Sequence, residues 1–409
     1  MPTLHIPGQH ANLKEALAAA QAGDTILIEG VSEQPFLDIS TPLTIRGGTI
    51  RGTEAVVMRL NADVTVQGCD IENPGGHGIV CMSASPVLED LSFKVRETAI
   101  ACGGDTSPRI QRVKVPSCRI GLSAQGTAAP AVDDMVITSS GSGMFFTGQA
   151  SGTLSQVAIA SGQMAGVEIG GEASPELSGV AVVASGAGGF FIHQQARPRL
   201  KDCQAQRMRL AGLEVRDQAD PQVDGFLVQE SHGGGLFIHG ESTGTYLEVH
   251  VRGCALVGIE VSEQARPELE RLTLERGQSG GIWVHDDAVV EVIEGRIEGH
   301  TFMGVEVCDD GKVQLEQLEI RGNLDQGVVL RDKGQAGLVA CVLADNNKYG
   351  LLGQDASRAT IEGGRIEGNG QGALRAEGGS ALVLDAAAEV QGAQHTADRG
   401  LVHRVAEEV

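Results

Sequence analysis

Apolar and polar residues alternate with period two in short stretches, and the stretches return at a fixed interval along most of the chain. The clearest register is a glycine followed by two apolar residues flanking one variable residue. It reads Gly166-Val167-Glu168-Ile169, Gly189-Phe190-Phe191-Ile192, Gly212-Leu213-Glu214-Val215, Gly235-Leu236-Phe237-Ile238, Gly258-Ile259-Glu260-Val261, Gly281-Ile282-Trp283-Val284 and Gly304-Val305-Glu306-Val307. A second signature, a proline followed by an apolar residue two places on, precedes many of these copies, as in Ser174-Pro175-Glu176-Leu177 and Arg266-Pro267-Glu268-Leu269. Counted from it, units start at 85, 107, 129, 151, 174, 197, 220, 243, 266, 289, 312 and 335, every one 22 or 23 residues long. Period two specifies strands, whereas helical repeats need about 33 residues or more.

Strands this short cannot bury a face alone, so each unit must stack on the next. The expected fold is all-β: a single-stranded right-handed parallel β-helix solenoid of about 15 coils, spaced ~4.8 Å apart. Residues 1–38 read as an N-terminal cap, 39–384 as the β-helix and 385–409 as a C-terminal cap or tail. In the first cap, Leu13, Leu17 and Ala20 fall on one face of a helix over 12–22, with Asn12 and Glu15 spaced as a capping box.

The opening Ala16 to Gly30, followed by Pro42 to Gly48, resembles the start of pectin-lyase-like β-helix proteins. The segments Gly280 to Ala288 and Met303 to Val307 are similar to the β-helix repeats of F-box-type ubiquitin-ligase substrate receptors and their bacterial relatives. The resemblance implies the fold and leaves activity open, because the superfamily holds lyases, hydrolases, epimerases and non-enzymatic binders. No F-box segment is recognisable, so ubiquitin ligation is not implied.

Composition narrows the field. With 57 glycines and 3% aromatics, the core must consist of small and branched aliphatic side chains in thin layers. A formal charge of −22 argues against nucleic acid. Neither a membrane span nor a secretory leader is readable, which points to the cytoplasm. The eight cysteines lack metal-binding spacing and read as buried, reduced thiols, so no metal or cofactor is expected.

Candidate chemistry begins with the variable place of the glycine register, which faces outward. Down successive units it reads Phe145, Glu168, Phe191, Glu214, Phe237, Glu260, Trp283 and Glu306, an aromatic and an acid in alternation. Two residues later, also outward, stand His193, His239 and His285 on the aromatic units. Alternation avoids a stack of carboxylates, yet outward rings on one stripe also suit an interface. The expectation is a non-enzymatic cytoplasmic scaffold that binds a protein partner through this stripe, with homo-oligomerisation open.

The competing reading is a polysaccharide-active enzyme, a lyase, hydrolase or epimerase on acidic glycans, using Asp286, Asp287, Asp309 and Asp310 beside His285. These acids, with Asp332, recur at matching places of successive units, where carboxylates perturb one another or share a cation. Acidic turns are also common for purely local reasons. The coils carry no long insertions to wall a cleft, and only Arg331 and Lys333 supply basic groups near the acids in sequence. A self-assembling rod is a further alternative.

Overall fold

The computed structural model describes residues 2–405, and these fall into two compact units. One runs up to Phe191 and includes Gln195–Gln204; the other comprises Ile192–Gln194 and the residues from Ala205 on. Each is a right-handed stack of parallel coils, and together they make about 17 turns. That exceeds the 15 expected, because coils without the glycine register continue towards both ends.

In the first unit a strand at Thr3–Ile6 pairs in parallel with Thr25–Ile28, and the helix Leu13–Ala19 lies beside them. Asn12 caps it by accepting the Glu15 N–H, and the Glu15 carboxylate accepts the Ala11 N–H at 3.1 Å. Leu13 and Ala16 are buried. Two further N–H groups of the first turn find sheet side chains, Leu13 donating to Ser32 Oγ at 3.0 Å and Lys14 to Gln34 Oε1 at 3.3 Å. The helix is shorter than the 12–22 expected, since Ala20 has already turned extended, with ψ 146°.

A coil of the second unit shows how the repeat folds. The strand Glu268–Glu275 lies in one parallel sheet, sheet A, and the strand Ile282–Val284 in another, sheet B. Leu269, Leu272, Leu274, Ile282 and Val284 point inward and are no more than 1% exposed. Corners fall where the backbone turns left-handed, at Arg271, Arg276 and Asp286, and again one coil on at Glu294, Gly299 and Asp309.

The glycine that opens each register is there for space. A Cβ on Gly281 would stand 2.4 Å from the Gly304 carbonyl oxygen and 2.5 Å from Ile297 Cγ2. At Gly235 it would stand 2.3 Å from the Gly258 oxygen, and at Gly327 2.6 Å from that of Gly350. The backbone of each coil therefore approaches the next too closely for any side chain.

A buried amide ladder closes the inner corner. Asn323 Nδ2 donates to Asn346 Oδ1 at 2.9 Å, and Asn346 Nδ2 donates to Asn369 Oδ1 at 3.0 Å. His300 stacks on this column, its N–H donating to Asn323 Oδ1 at 3.0 Å. Its ring lies where Gly277, one coil earlier, leaves room. Burial holds the His300 imidazole below its ordinary value of 6.5, partly offset by the Leu274 carbonyl. The unfolded chain therefore binds this proton more readily. Stability should be at its full value above pH 6.5 and fall as the pH drops through the lowered value. Replacing His300 by Asn, which extends the ladder, should flatten that part of a pH series of urea unfolding midpoints.

The stretch expected as a cap or tail carries a further coil. Strands Glu389–Val390, Gln394–Thr396 and Leu401–Arg404 pair in parallel with the coil before them; residues 406–409 of that stretch lie outside the described residues. All eight cysteines are free thiols, seven buried and Cys308 half-buried. Cys81 sits opposite Cys102 on adjacent coils. No helix is long and apolar enough to cross a membrane among the described residues.

Candidate functional site

Sheet B carries the expected column. Phe145, in the first unit, is in register with Glu168, both half-buried; Phe191 and His193, also half-buried, belong to the strand Phe190–Ile192 and the place after it. In the second unit Glu214, Phe237, Glu260, Trp283 and Glu306 follow one another in register. Each ring stacks on the histidine two residues along its own strand: Phe237 on His239 and Trp283 on His285, both with centroids 4.1 Å apart. Each histidine then reaches the acid one coil back, His239 Nε2 lying 3.4 Å from Glu214 Oε1 and His285 Nε2 3.4 Å from Glu260 Oε1. His285 Nδ1 is also 3.1 Å from Asp286 Oδ2. The hydrogen bond to Glu260 holds the His285 pKa above its ordinary value, with burial opposing and Asp286 adding. Further along, Arg331 pairs with Glu306 at 3.3 Å, while burial raises the Glu306 carboxyl despite that pairing. The alternation is thus a set of interlocked acid–histidine–ring groups whose surfaces are largely taken by one another.

The acidic column has a local cause. Asp286, Asp309, Asp332 and Asp355 all occupy left-handed corners, with φ between 54° and 57°, a conformation that aspartate tolerates better than most residues. Each also ties adjacent coils together: the Glu263 N–H donates to Asp286 Oδ2 at 3.0 Å, Asp286 N–H to Asp309 Oδ2 at 3.3 Å and Asp332 N–H to Asp355 Oδ2 at 3.3 Å. Asp310 pairs with Lys333 at 3.1 Å, and Asp287 is exposed. His285, Asp286 and Asp309 bring ligand-type atoms within 4.8 Å of one another, as do Cys308, Asp309 and Asp332. Because Asp286 and Asp309 already accept backbone N–H groups, these sets are first of all corner ties.

Sheet A holds a groove that contains none of the candidate residues named from the sequence. A hollow of about 630 Å³ runs across five coils, between Arg266 on the first and Arg358 on the last. Its floor includes Val290, Val313, Ala336 and Ala359, all buried. Arg266, Lys312 and Arg358 line it at matching places of alternate coils, with Val289 and Gln335 between them. Glu268 and Glu291, in register on adjacent strands, lie where this hollow meets a smaller one of about 200 Å³ over Tyr246 and Ile293.

All five charged groups are exposed, and none has an ion-pair partner among the described residues. Elsewhere cations are commonly neutralised, as Arg51 is by Glu72, Arg112 by Glu89 and Arg321 by Asp345. In a chain of net charge −22, three exposed cations without an ion-pair partner thus share one hollow with two carboxylates, Glu268 and Glu291.

The description "Right handed beta helix region" matches residues 98–255 and 234–387. Among solved structures the chain is similar to a periplasmic alginate epimerase, at 12% identity and TM-score 0.38, covering 90% of this chain and 78% of that one. It is similar to a pectate lyase at 11% identity and TM-score 0.35, covering 62% and 77%. The Agl-KA catalytic domain matches at 11% identity and TM-score 0.35, covering 89% and 63%. No curated protein sequence matches. At these identities the likeness is one of fold.

The expectation of a non-enzymatic cytoplasmic scaffold is corrected here. The matched structures named above are an epimerase, a lyase and a catalytic domain. The stripe on which that expectation rested is also less available than a row of open anchors, since in the second unit its rings and acids are engaged with His239 and His285.

Proposed function

The chain belongs to the right-handed β-helix family, and from that premise we propose that it binds and acts on an acidic polysaccharide laid across the sheet A groove of the second unit. The observation that carries this reading is the row of unpaired cations, Arg266, Lys312 and Arg358, on alternate coils of one hollow. Two coil steps are about 9–10 Å, close to the span of two sugar rings in an extended 1,4-linked chain. Three cations so spaced meet the carboxylates of every second uronate ring, and arginine does so with a planar pair of donors. Val289, half-buried between Arg266 and Lys312, supplies apolar contact for a ring face.

The chemistry suited to such a groove is proton abstraction beside a carboxylate. A cation that neutralises a uronate carboxylate makes the hydrogen on the adjacent ring carbon more acidic, and a carboxylate base within reach removes it. Glu291 stands on the coil between those of Arg266 and Lys312, which places a base between two charge-neutralising groups. Return of the proton from the opposite side inverts that carbon; loss of the neighbouring glycosidic oxygen cleaves the chain.

Both outcomes share the first step, removal of that hydrogen, and each leaves its own mark: inversion returns a hydrogen from solvent, whereas elimination leaves a carbon–carbon double bond at the new chain end. Polygalacturonate and alginate incubated with the protein in deuterated water should therefore either gain deuterium at this carbon, detected by NMR, or yield unsaturated ends, detected by ultraviolet absorbance. Glu291→Gln should slow formation of that product by ~10²–10⁴-fold while leaving glycan binding intact. Neither deuterium uptake nor unsaturated ends with either polymer would remove the catalytic part of the proposal.

A further inference from the structure

Sheet B of the second unit carries a separate cavity, which the groove on sheet A does not use. It measures about 300 Å³ and is bordered by Ser279, Gly280, Trp283, Phe302, Glu306 and Arg331. Three features set it apart from an ordinary surface dip. First, its aromatic wall is fixed: His285 covers one side of the Trp283 indole at 4.1 Å, and Nε1 donates to Cys308 Sγ at 3.4 Å. Second, Phe302 is 50% exposed, a large apolar surface left in water at the rim. Third, the half-buried Glu306 pairs with the exposed Arg331 at 3.3 Å, and both line the cavity, presenting acceptor and donor groups side by side with no net charge.

The alternation of coils explains why the cavity forms where it does. Four places before each outward ring the residue is small, as at Gly233 and Ser279; four places before each outward acid it is large and exposed, as at Leu210, Leu256 and Phe302. A small residue next to a ring therefore leaves a hollow, and at Trp283 the large Phe302 of the following coil walls it. At Trp283 the hollow also acquires Arg331, whose counterpart two coils earlier is His285, so only there does an arginine complete it.

We propose that this cavity binds a single pyranose ring, stacked on Trp283 and Phe302 with its hydroxyls held by Glu306 and Arg331. A sugar ring has one apolar face of C–H groups and an edge of hydroxyls, which matches an aromatic wall beside a neutral acid–guanidinium pair. The balanced charge favours an uncharged ring over a uronate, so this site is distinct in chemistry from the sheet A groove and stands independently of it.

Trp283 is the only tryptophan of the chain, so its fluorescence reports this cavity alone. Methyl glycosides of glucose, mannose and galactose, with the corresponding uronates as comparison, would be titrated against the full chain. The expected result is a saturable change in emission with a neutral glycoside, at a dissociation constant of about 1 mM as suits a small, partly exposed ligand. Arg331→Gln and Phe302→Ser should each weaken it about 10-fold, while Arg266→Ser, Lys312→Ser and Arg358→Ser together should leave it unchanged. Circular dichroism of each variant verifies folding. No saturable change with any glycoside, in a protein whose Trp283 is quenched by acrylamide, would overturn the proposal; so would equal binding by the Arg331→Gln and wild-type chains.

Discussion

Gly281→Ala should cost about 3 kcal/mol of stability, well above the effect of most single changes. The added Cβ would lie 2.4 Å from the Gly304 carbonyl oxygen and 2.5 Å from Ile297 Cγ2. The oxygen belongs to backbone on which the next coil is stacked, so relief requires two coils to part and their ladder bonds to lengthen. Gly322→Asp is the informative comparison. Gly322 is left-handed with φ +61° and has open space where a Cβ would go. Its counterpart one coil later is Asp345, already left-handed at φ 55°, so this change should cost less than about 1–2 kcal/mol. Urea unfolding followed by circular dichroism distinguishes a glycine kept for room from one kept for backbone conformation. Equal losses at both sites would mean that close approach between coils is not what keeps the register glycine.

Replacing Arg266, Lys312 and Arg358 together by Ser should weaken binding of an acidic glycan about 100-fold. Each exposed charge-assisted contact contributes on the order of 1 kcal/mol after solvent screening, and about 1.4 kcal/mol corresponds to a factor of ten. The three are on separate coils and share no partner, so their effects should nearly add. The rest of the chain works against a polyanion, because net charge −22 repels it and the groove itself also holds Glu268 and Glu291. Without the cations the groove becomes repulsive. The same variant should keep its unfolding midpoint, since none of the three makes an ion pair that folding depends on. Retention on immobilised polygalacturonate as a function of salt is the measurement; wild-type retention should fall as salt rises.

The repeat was legible because it is written twice, once as inward aliphatics with period two and once as a glycine that only crowding between coils requires. The outward column was legible for the same reason: once Ile282 and Val284 face inward, Trp283 faces outward. What could not be read was how the outward groups spend their surfaces. Trp283 on His285, and His285 on Glu260, are contacts between neighbouring coils that make an apparent row of anchors into interlocked groups.

The acidic column was visible, yet its cause, left-handed corners tied to the preceding coil, depends on backbone angles that an isolated aspartate does not reveal. Arg266, Lys312 and Arg358 recur every second unit, a signal present in the sequence and overlooked, because a cation without an acid beside it can be recognised only after folding. The last coil escaped notice since the strand Gln394–Thr396 is exposed at all three places and has no apolar alternation.

A series of oligogalacturonates of increasing length, titrated by calorimetry, tests directly whether the sheet A groove holds a charged glycan lengthwise. Affinity should rise with each added ring up to about five, one per coil of the groove, and then level off, with neutral oligosaccharides of equal length binding at least ~10-fold more weakly. Binding that ignores length and charge alike, or none at any length, would contradict it.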